Sequence, residues 1–350
     1  MVYSIEDFDF ELPQELIASD PLDERSASRM LAVDRSSRTF DDKRFAELPD
    51  FLREGDVLVL NNTKVFPARL FGSTSTGAKV EVFLVEDLGD GVWTTLARPA
   101  KRLTPAKRIV FGPGLSAEVV ERDESGTVRM RFEAAGDIDA AIDRVGKTPL
   151  PPYIKRDSDA LDADRERYQT VFAKERGAIA APTAGLHFTP GVLDAIKGRG
   201  VTIAEVTLHV GYGTFEPVRV EDISQHRVQP ERYVMDRETA EVLNAARTDG
   251  RRIVAVGTTT TRTLEYNIAK FERFAEDSGA ADLTILPGYE FRAVDALLTN
   301  FHLPKSSLLF LVSAFAGREL IMDAYRHSVG ERYRFYSYGD CMFIQIGRTG

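Results

Sequence analysis

The chain has 350 residues, 43% of them hydrophobic and 28% charged, with a formal net charge of −9. That length favours two globular domains over one, and that composition is ordinary for a soluble globular protein with ample material for a core. A single cysteine, Cys341, rules out an intrachain disulfide and fits a reducing cytoplasm, where the protein is expected to act. The Met1–Asp7 segment lacks the basic and apolar regions of a secretory leader, and no apolar run reaches the length of a membrane span.

The first 55 residues read as short elements: a helical turn at Pro13–Ala18, a strand at Arg29–Asp34 and a turn at Gly55-Asp56. Val57-Leu58-Val59-Leu60 is a strand buried on both faces, ending in the polar tip Asn61-Asn62-Thr63-Lys64. From Leu70 to Leu150 the texture changes. Strands are predicted within Lys79–Val85, Trp93–Ala97, Arg108–Phe111, Ala117–Val120 and Val128–Phe132, most of them separated by glycine-rich turns. Short strands at such intervals predict a small sandwich or barrel inserted into the chain, with Pro149–Tyr153 marking its exit.

Beyond Asp157 strands and helices alternate. Thr189 caps a helix with Pro190 at its first position and Gly198 or Gly200 at its end, and Val201–Val210 follows as a strand. Asp236 caps a helix to Thr248; Ile253–Val256 is a buried strand that leads into a helix through Leu264. The run Leu308–Val312 is a buried strand or helix segment. Such alternation predicts a main α/β domain with a mostly parallel sheet, residues 1–69 and 154–350, and an inserted all-β barrel domain, residues 70–153.

Ligands of such sheets sit at the carboxyl ends of the strands. Four loops lie near predicted strand ends: Ala181–Phe188, His209–Val218, Gly257–Arg262 and Leu298–Ser307. Each sets glycine, proline, hydroxyl or amide groups in an apolar frame, and together they predict one convergent pocket. In the first, small residues around Pro182 and Gly185 forbid a long helix and make a tight loop presenting His187, a group that titrates near neutrality, to a ligand. Gly257-Thr258-Thr259-Thr260-Thr261 lacks the Lys of a phosphate loop, yet its amides and hydroxyls suit an anion or carboxylate. Gly211-Tyr212-Gly213 lacks the third glycine of a dinucleotide fingerprint. The five histidines show no metal-ligand spacing, so no metal is expected. Glu205, Glu216, Glu231, Glu265, Asp295 and Asp340 are the acid–base candidates; Glu231 and Asp340 stand out for their settings, Gln229-Pro230-Glu231-Arg232-Tyr233 and Tyr336-Ser337-Tyr338-Gly339-Asp340. Against the acidic total, Arg98, Lys101, Arg102, Lys107 and Arg108 fall in one acid-free stretch, either a solvated loop or a phosphate-binding edge.

These motifs, in this order, resemble the S-adenosylmethionine:tRNA ribosyltransferase-isomerase family of queuosine biosynthesis. The similarity runs from Asp7-Phe8-Asp9-Phe10-Glu11-Leu12-Pro13 through Asn61–Leu70, Arg167–Ala173, Ala180–Thr189, Leu208–Val218, Val256–Glu265, Pro287-Gly288-Tyr289 and Thr299–Ser306 to Tyr333–Asp340. The resemblance implies ribosyl transfer from S-adenosylmethionine to the aminomethyl group of a deazaguanine base at the tRNA wobble position. Isomerisation to epoxyqueuosine follows, with release of adenine and methionine. S-adenosylmethionine is then a consumed substrate rather than a cofactor, tRNA is the partner, and a soluble monomer is expected. His187, His209 and His302 become the catalytic candidates, with His187 or His209 moving protons. Thr183, Gly185, Gly211, Gly213, Thr258, Thr259, Arg262, Asn300 and Glu231 become substrate contacts, and Arg98–Arg108 a tRNA-binding edge. One departure stands out: the family tends to read His-Lys-Met-His-Ser-Glu where this chain has His226-Arg227-Val228-Gln229-Pro230-Glu231, so Gln229 replaces a histidine and cannot shuttle protons. Two other readings compete: a non-catalytic RNA-binding protein, and a metal-dependent hydrolase built on His187, His209 and His302.

Overall fold

The computed structural model describes residues 3–123, 126–151, 153–154, 161–215 and 217–346. The chain divides into two compact units, one formed by Met1–Lys64, Gln169–Glu175 and Ala181–Gly350, the other by Val65–Tyr168 and Arg176–Ala180.

The larger unit is built on a nine-stranded sheet. Its order is Asp277–Ala281, Glu231–Met235, Thr202–Leu208, Val57–Asn61, Ile253–Val256, Ala296–Asn300, Cys341–Gln345, Arg29–Asp34 and Thr39–Arg44. The four strands from Thr202–Leu208 to Ala296–Asn300 run parallel, as does the pair Cys341–Gln345 with Arg29–Asp34; the remaining neighbours are antiparallel. The sheet is therefore parallel through its centre and mixed at its margins. Its central strands are buried on both faces, which is why Val57–Leu60 and Ile253–Val256 read as unbroken apolar runs. One layer packs Phe45, Leu48, Phe188, Val192 and Ile196 against Leu58, Leu60, Val254 and Leu298.

Local chemistry sets the helix limits. Thr189 Oγ1 accepts from Val192 N (3.3 Å) ahead of the helix Pro190–Gly198, and Asp236 Oδ1 accepts from Thr239 N (2.7 Å) ahead of Arg237–Thr248. Leu308–Val312 lies in a helix, Ser307–Ala316, whose side chains are apolar on nearly every face because it is covered on nearly every face. Pro13–Ala18 holds one 3-10 turn, Gln14–Leu16.

The smaller unit is a closed six-stranded antiparallel barrel, ordered Thr127–Ala134, Val92–Arg98, Lys79–Asp87, Arg69–Thr74, Arg108–Gly112 and Leu115–Arg122. Period-two alternation turns Val80, Val82, Leu84, Trp93, Ile109, Val119, Val128, Met130 and Phe132 inward, and closure leaves no open sheet edge. No helix of the described residues is long and apolar enough to cross a membrane.

Candidate functional site

The carboxyl ends of the parallel strands carry the polar tips. Asn61 ties three of them together. Its Oδ1 accepts from Leu208 N (3.0 Å) and Thr63 N (3.1 Å), and its Nδ2 donates to Leu208 O (3.0 Å) and Thr259 Oγ1 (3.2 Å). His209, just past its strand, meets Thr63 Oγ1 through Nδ1 at 2.8 Å. Asn300, the last residue of its strand, meets His187 Nε2 through Oδ1 at 3.2 Å. Segments from all four predicted loops thus converge along one sheet edge.

The loop chemistry differs from the expectation in several places. His187 is not presented to a ligand. It lies in a 3-10 turn, Thr183–His187, only 4% exposed, with Phe45 against its ring and Ser28 Oγ 2.8 Å from Nδ1. Burial holds its pKa down at about 4, so it is neutral at physiological pH. Gly185 serves packing: a Cβ there would fall 2.7 Å from Phe172 and 2.8 Å from Thr170. His302 is buried too, with Nε2 at 3.0 Å from Thr299 Oγ1 and a pKa lowered by burial to about 3. His209 is half-buried; burial, then Arg232, lower it to about 4.

The threonines at the start of the helix Thr258–Phe271 also turn inward. Thr260, Thr261 and Thr263 donate to the carbonyls of Val256 (2.7 Å), Gly257 (3.1 Å) and Thr259 (3.0 Å), each four residues back. Thr258 is buried, and Thr259 receives Asn61; Thr183 is half-buried at the head of its turn. The hydroxyls of Thr260, Thr261 and Thr263 are therefore taken up by the helix's own carbonyls, and that of Thr259 by Asn61.

Arg262 and Glu231 are joined directly by a buried ion pair, their side chains 8% and 4% exposed. Glu231 Oε1 also accepts from Gly211 N (2.9 Å), and Arg262 donates to the carbonyls of Leu283 (3.2 Å) and Ala281 (3.2 Å). This pair forms one charged part of a pocket of about 400 Å³, within the size range of small-molecule sites, with Lys305 the other. Leu303, Pro304, Leu308 and Leu311 supply apolar wall; Lys305, Ser306 and Ser307 bring the start of the helix Ser307–Ala316; Tyr336 and His226 complete it. Gly213 belongs to the wall as well, its α-carbon so close to Gln229 that a Cβ would meet that side chain at 2.6 Å. Of the expected site residues, Gly213, Glu231 and Arg262 line this pocket, whereas His187, His209 and His302 do not.

Sequence reasoning missed His226, Ser307 and Tyr336 as wall residues. His226 Nε2 lies 2.6 Å from Ser307 Oγ, and burial, then Arg227, lower its pKa. The resemblance had already picked out His226 beside Gln229, the signal that could have placed it here. Among the other acid–base candidates, Glu265 accepts from Tyr289 OH and the backbone N–H groups of Arg292, Ala293 and Val294; Asp295 accepts from Ile253 N; Glu205 pairs with Lys174. These three hold structure together. Glu216 lies outside the described residues.

On the barrel, Arg98, Lys101, Arg102 and Arg108 are exposed and Lys107 is half-buried. Arg108 pairs with Glu133 (2.6 Å), and Lys107 Nζ donates to Arg102 O (2.9 Å). Among the described residues, no three His, Cys, Asp or Glu side chains cluster as a metal site. The rings of His187, His209 and His302 are engaged with separate partners, so the ligand set of the hydrolase reading is not assembled.

A mixed α/β unit with a mainly apolar pocket among its loops, together with a barrel carried inside the same chain, defines a two-unit α/β-plus-barrel protein. A family model described as queuosine biosynthesis protein matches residues 5–344, and the chain belongs to that family. A protein of Syntrophotalea carbinolica named S-adenosylmethionine:tRNA ribosyltransferase-isomerase is 51% identical over 342 residues, covering 97% of this chain and 99% of the relative. A protein of Geobacter metallireducens with the same name is also 51% identical, with the same coverage. The crystal structure of S-adenosylmethionine tRNA ribosyltransferase from Thermotoga maritima superposes with a TM-score of 0.56 at 40% identity, covering 97% of this chain and 99% of that one.

Proposed function

We propose that this chain transfers the ribosyl group of S-adenosylmethionine to an aminomethyl-deazaguanine base at the tRNA wobble position and isomerises it to epoxyqueuosine, releasing adenine and methionine. It acts as a cytoplasmic monomer and consumes S-adenosylmethionine as a substrate. The observation that carries this reading is identity of about half the residues, over nearly the full length, with relatives bearing that activity's name. The division of labour follows the sequence reading: residues 1–69 and 154–350 bind the donor, and the barrel of residues 70–153 contacts tRNA through Arg98, Lys101, Arg102, Lys107 and Arg108.

The chemistry asks for a base that removes a proton from the carbon beside the sulfonium, an uncharged attacking amine, and a group that protonates or hydrogen-bonds the departing adenine. A neutral histidine meets the first demand. His226 lines the donor pocket and is held neutral, so we assign it the proton-accepting role, with Ser307 orienting its ring. His209 is the second candidate, at the sheet edge beside Thr63. Arg262, Glu231, Gly211 and Gly213 orient the donor, and His187, His302, Asn300, Thr183, Gly185, Thr258 and Thr259 hold the loops that form its surroundings.

Incubation with S-adenosylmethionine and tRNA carrying the aminomethyl base tests the reading. Adenine and methionine released in equal amounts, dependent on the modified tRNA, support it; tRNA binding without adenine release supports the non-catalytic RNA-binding alternative. His226→Gln is expected to lower kcat by roughly 10²–10⁴-fold, the ordinary contribution of positioned proton transfer, with little change in the KM for tRNA. Unchanged turnover would move the base to His209. Lys101→Glu with Arg102→Glu is expected to weaken tRNA binding and to flatten the plot of log K against log salt by roughly 2, about 0.9 per lost phosphate contact. A salt slope equal to that of the parent would remove the barrel edge from the tRNA footprint.

A further inference from the structure

Tyr336 has a backbone no tyrosine adopts freely. Its φ is +75°, in the left-handed region, where a bulky side chain is a true outlier. Such residues persist only where the surroundings over-determine them, and they gather at ligand sites.

The surroundings here are explicit. Tyr336 N donates to Phe301 O (3.1 Å), and Tyr336 O accepts from Asn300 Nδ2 (2.9 Å) and Gly339 N (3.0 Å). Asp340 closes the turn from below: Oδ2 accepts from Arg334 N (2.8 Å) and Oδ1 from Arg29 N (2.8 Å). Gly339 leaves no slack, since a Cβ there would lie 2.5 Å from Arg334 O.

Behind Asn300 stands a relay with a single polarity. Asn300 Nδ2 faces two carbonyls, those of Tyr336 and Ser337 (3.4 Å), so Oδ1 must be the atom turned to His187. Oδ1 can only accept, which puts the His187 proton on Nε2 and leaves Nδ1 a bare acceptor. Ser28 Oγ, at 2.8 Å, then donates to Nδ1. Hydrogen bonds run Ser28 to His187 to Asn300 to the Tyr336 carbonyl, and the last residue of the series is a wall of the Arg262 pocket.

We propose that Tyr336 is a specificity-determining residue whose ring forms the face against which the purine of the nucleoside donor stacks, and that Ser28, His187 and Asn300 are positioning residues that fix it there. The inference rests on the reading of this pocket as the donor site. An aromatic face beside apolar wall residues is the ordinary partner of a base. The charged Arg262–Glu231 end of the same pocket suits the zwitterionic amino-acid end of the donor.

Calorimetric titration of the full chain with S-adenosylmethionine, adenosine and methionine tests this. Glycine takes φ +75° without strain, so Tyr336→Gly removes the ring and keeps the turn. It is expected to weaken S-adenosylmethionine and adenosine by at least about 10-fold, from the size of base–aromatic stacking, while methionine binds as to the parent. Tyr336→Phe is expected to recover most of that loss. Asn300→Ala is expected to weaken adenosine in the parent and to have no further effect in the Tyr336→Gly background, a full coupling that general loosening of the fold would not produce. Parental adenosine affinity in Tyr336→Gly, or an equal loss for adenosine and methionine, overturns the proposal alone. Absence of any S-adenosylmethionine binding by the parent overturns the donor-site reading, and the stacking role falls with it.

Discussion

Glu231→Ala is expected to destabilise the protein by about 3–5 kcal/mol, the usual consequence of stranding one member of a buried ion pair. The reason is what remains. The Arg262 guanidinium stays buried beneath Leu283 and Ala281, with neutral carbonyls as its remaining named acceptors, and Gly211 N loses its carboxylate acceptor. With side chains 8% and 4% exposed, water can reach the pair only from the pocket side and replaces the carboxylate poorly. Glu231→Gln retains shape and an acceptor oxygen and should cost less. The double variant Glu231→Leu/Arg262→Met should recover much of the lost stability, because apolar residues of similar volume often replace a buried pair at little cost. Urea midpoints of the two single variants and the double variant give the coupling. Affinity for S-adenosylmethionine should stay low in the double variant even where stability returns. Recovery of both together would mean the pair is a folding element with no part in the donor pocket.

That pair also shows what a sequence can and cannot reveal. Glu231 drew attention through its setting and Arg262 through its loop, but nothing in a one-dimensional reading joins residues 31 positions apart into one contact. Periodicity, caps and turns are local, so the central strands, the helices after Thr189 and Asp236, and five of the six barrel strands were legible with small shifts at their ends, while the barrel strand Arg69–Thr74 was not. The antiparallel margins of the sheet were not, because pairing partners such as Ala296–Asn300 with Cys341–Gln345 depend on packing between distant segments. His187 illustrates the same limit at the site. Small residues around it suggested an accessible loop; burial came from Phe45 and from Ser28, 159 positions away. The threonine-rich start of the helix Thr258–Phe271 suggested a ligand cradle. Threonine hydroxyls bond equally well to carbonyls one turn back, and here they do so. Tyr336 was overlooked because left-handed backbone is flagged in a sequence by glycine or asparagine, not by an aromatic residue.

Below about pH 6.5 the protein is expected to lose stability steeply through His187 and His302. Burial holds the two imidazoles at about 4 and about 3, against 6.5 for the unfolded chain. A depressed folded value means that, between those limits, the unfolded state binds a proton that the folded state refuses. Stability is therefore full above pH 6.5 and falls as the pH falls, by up to about 1.4 kcal/mol per pH unit for each histidine. Glu265, Asp295 and Asp340 act in the opposite sense, because burial raises their carboxyl groups and the folded state takes up protons first. Their effect grows toward the carboxylate range, so the histidine slope is cleanest between pH 6.5 and 5.5. His302→Gln removes one titrating ring and leaves a side chain able to reach Thr299. Its plot of urea midpoint, converted to free energy, against pH should be shallower than the parent's by about 1.4 kcal/mol per unit at the acid end of that window. Parallel plots would show that the His302 ring accepts its proton inside the folded protein, where a protonated Nε2 can still donate to Thr299 Oγ1.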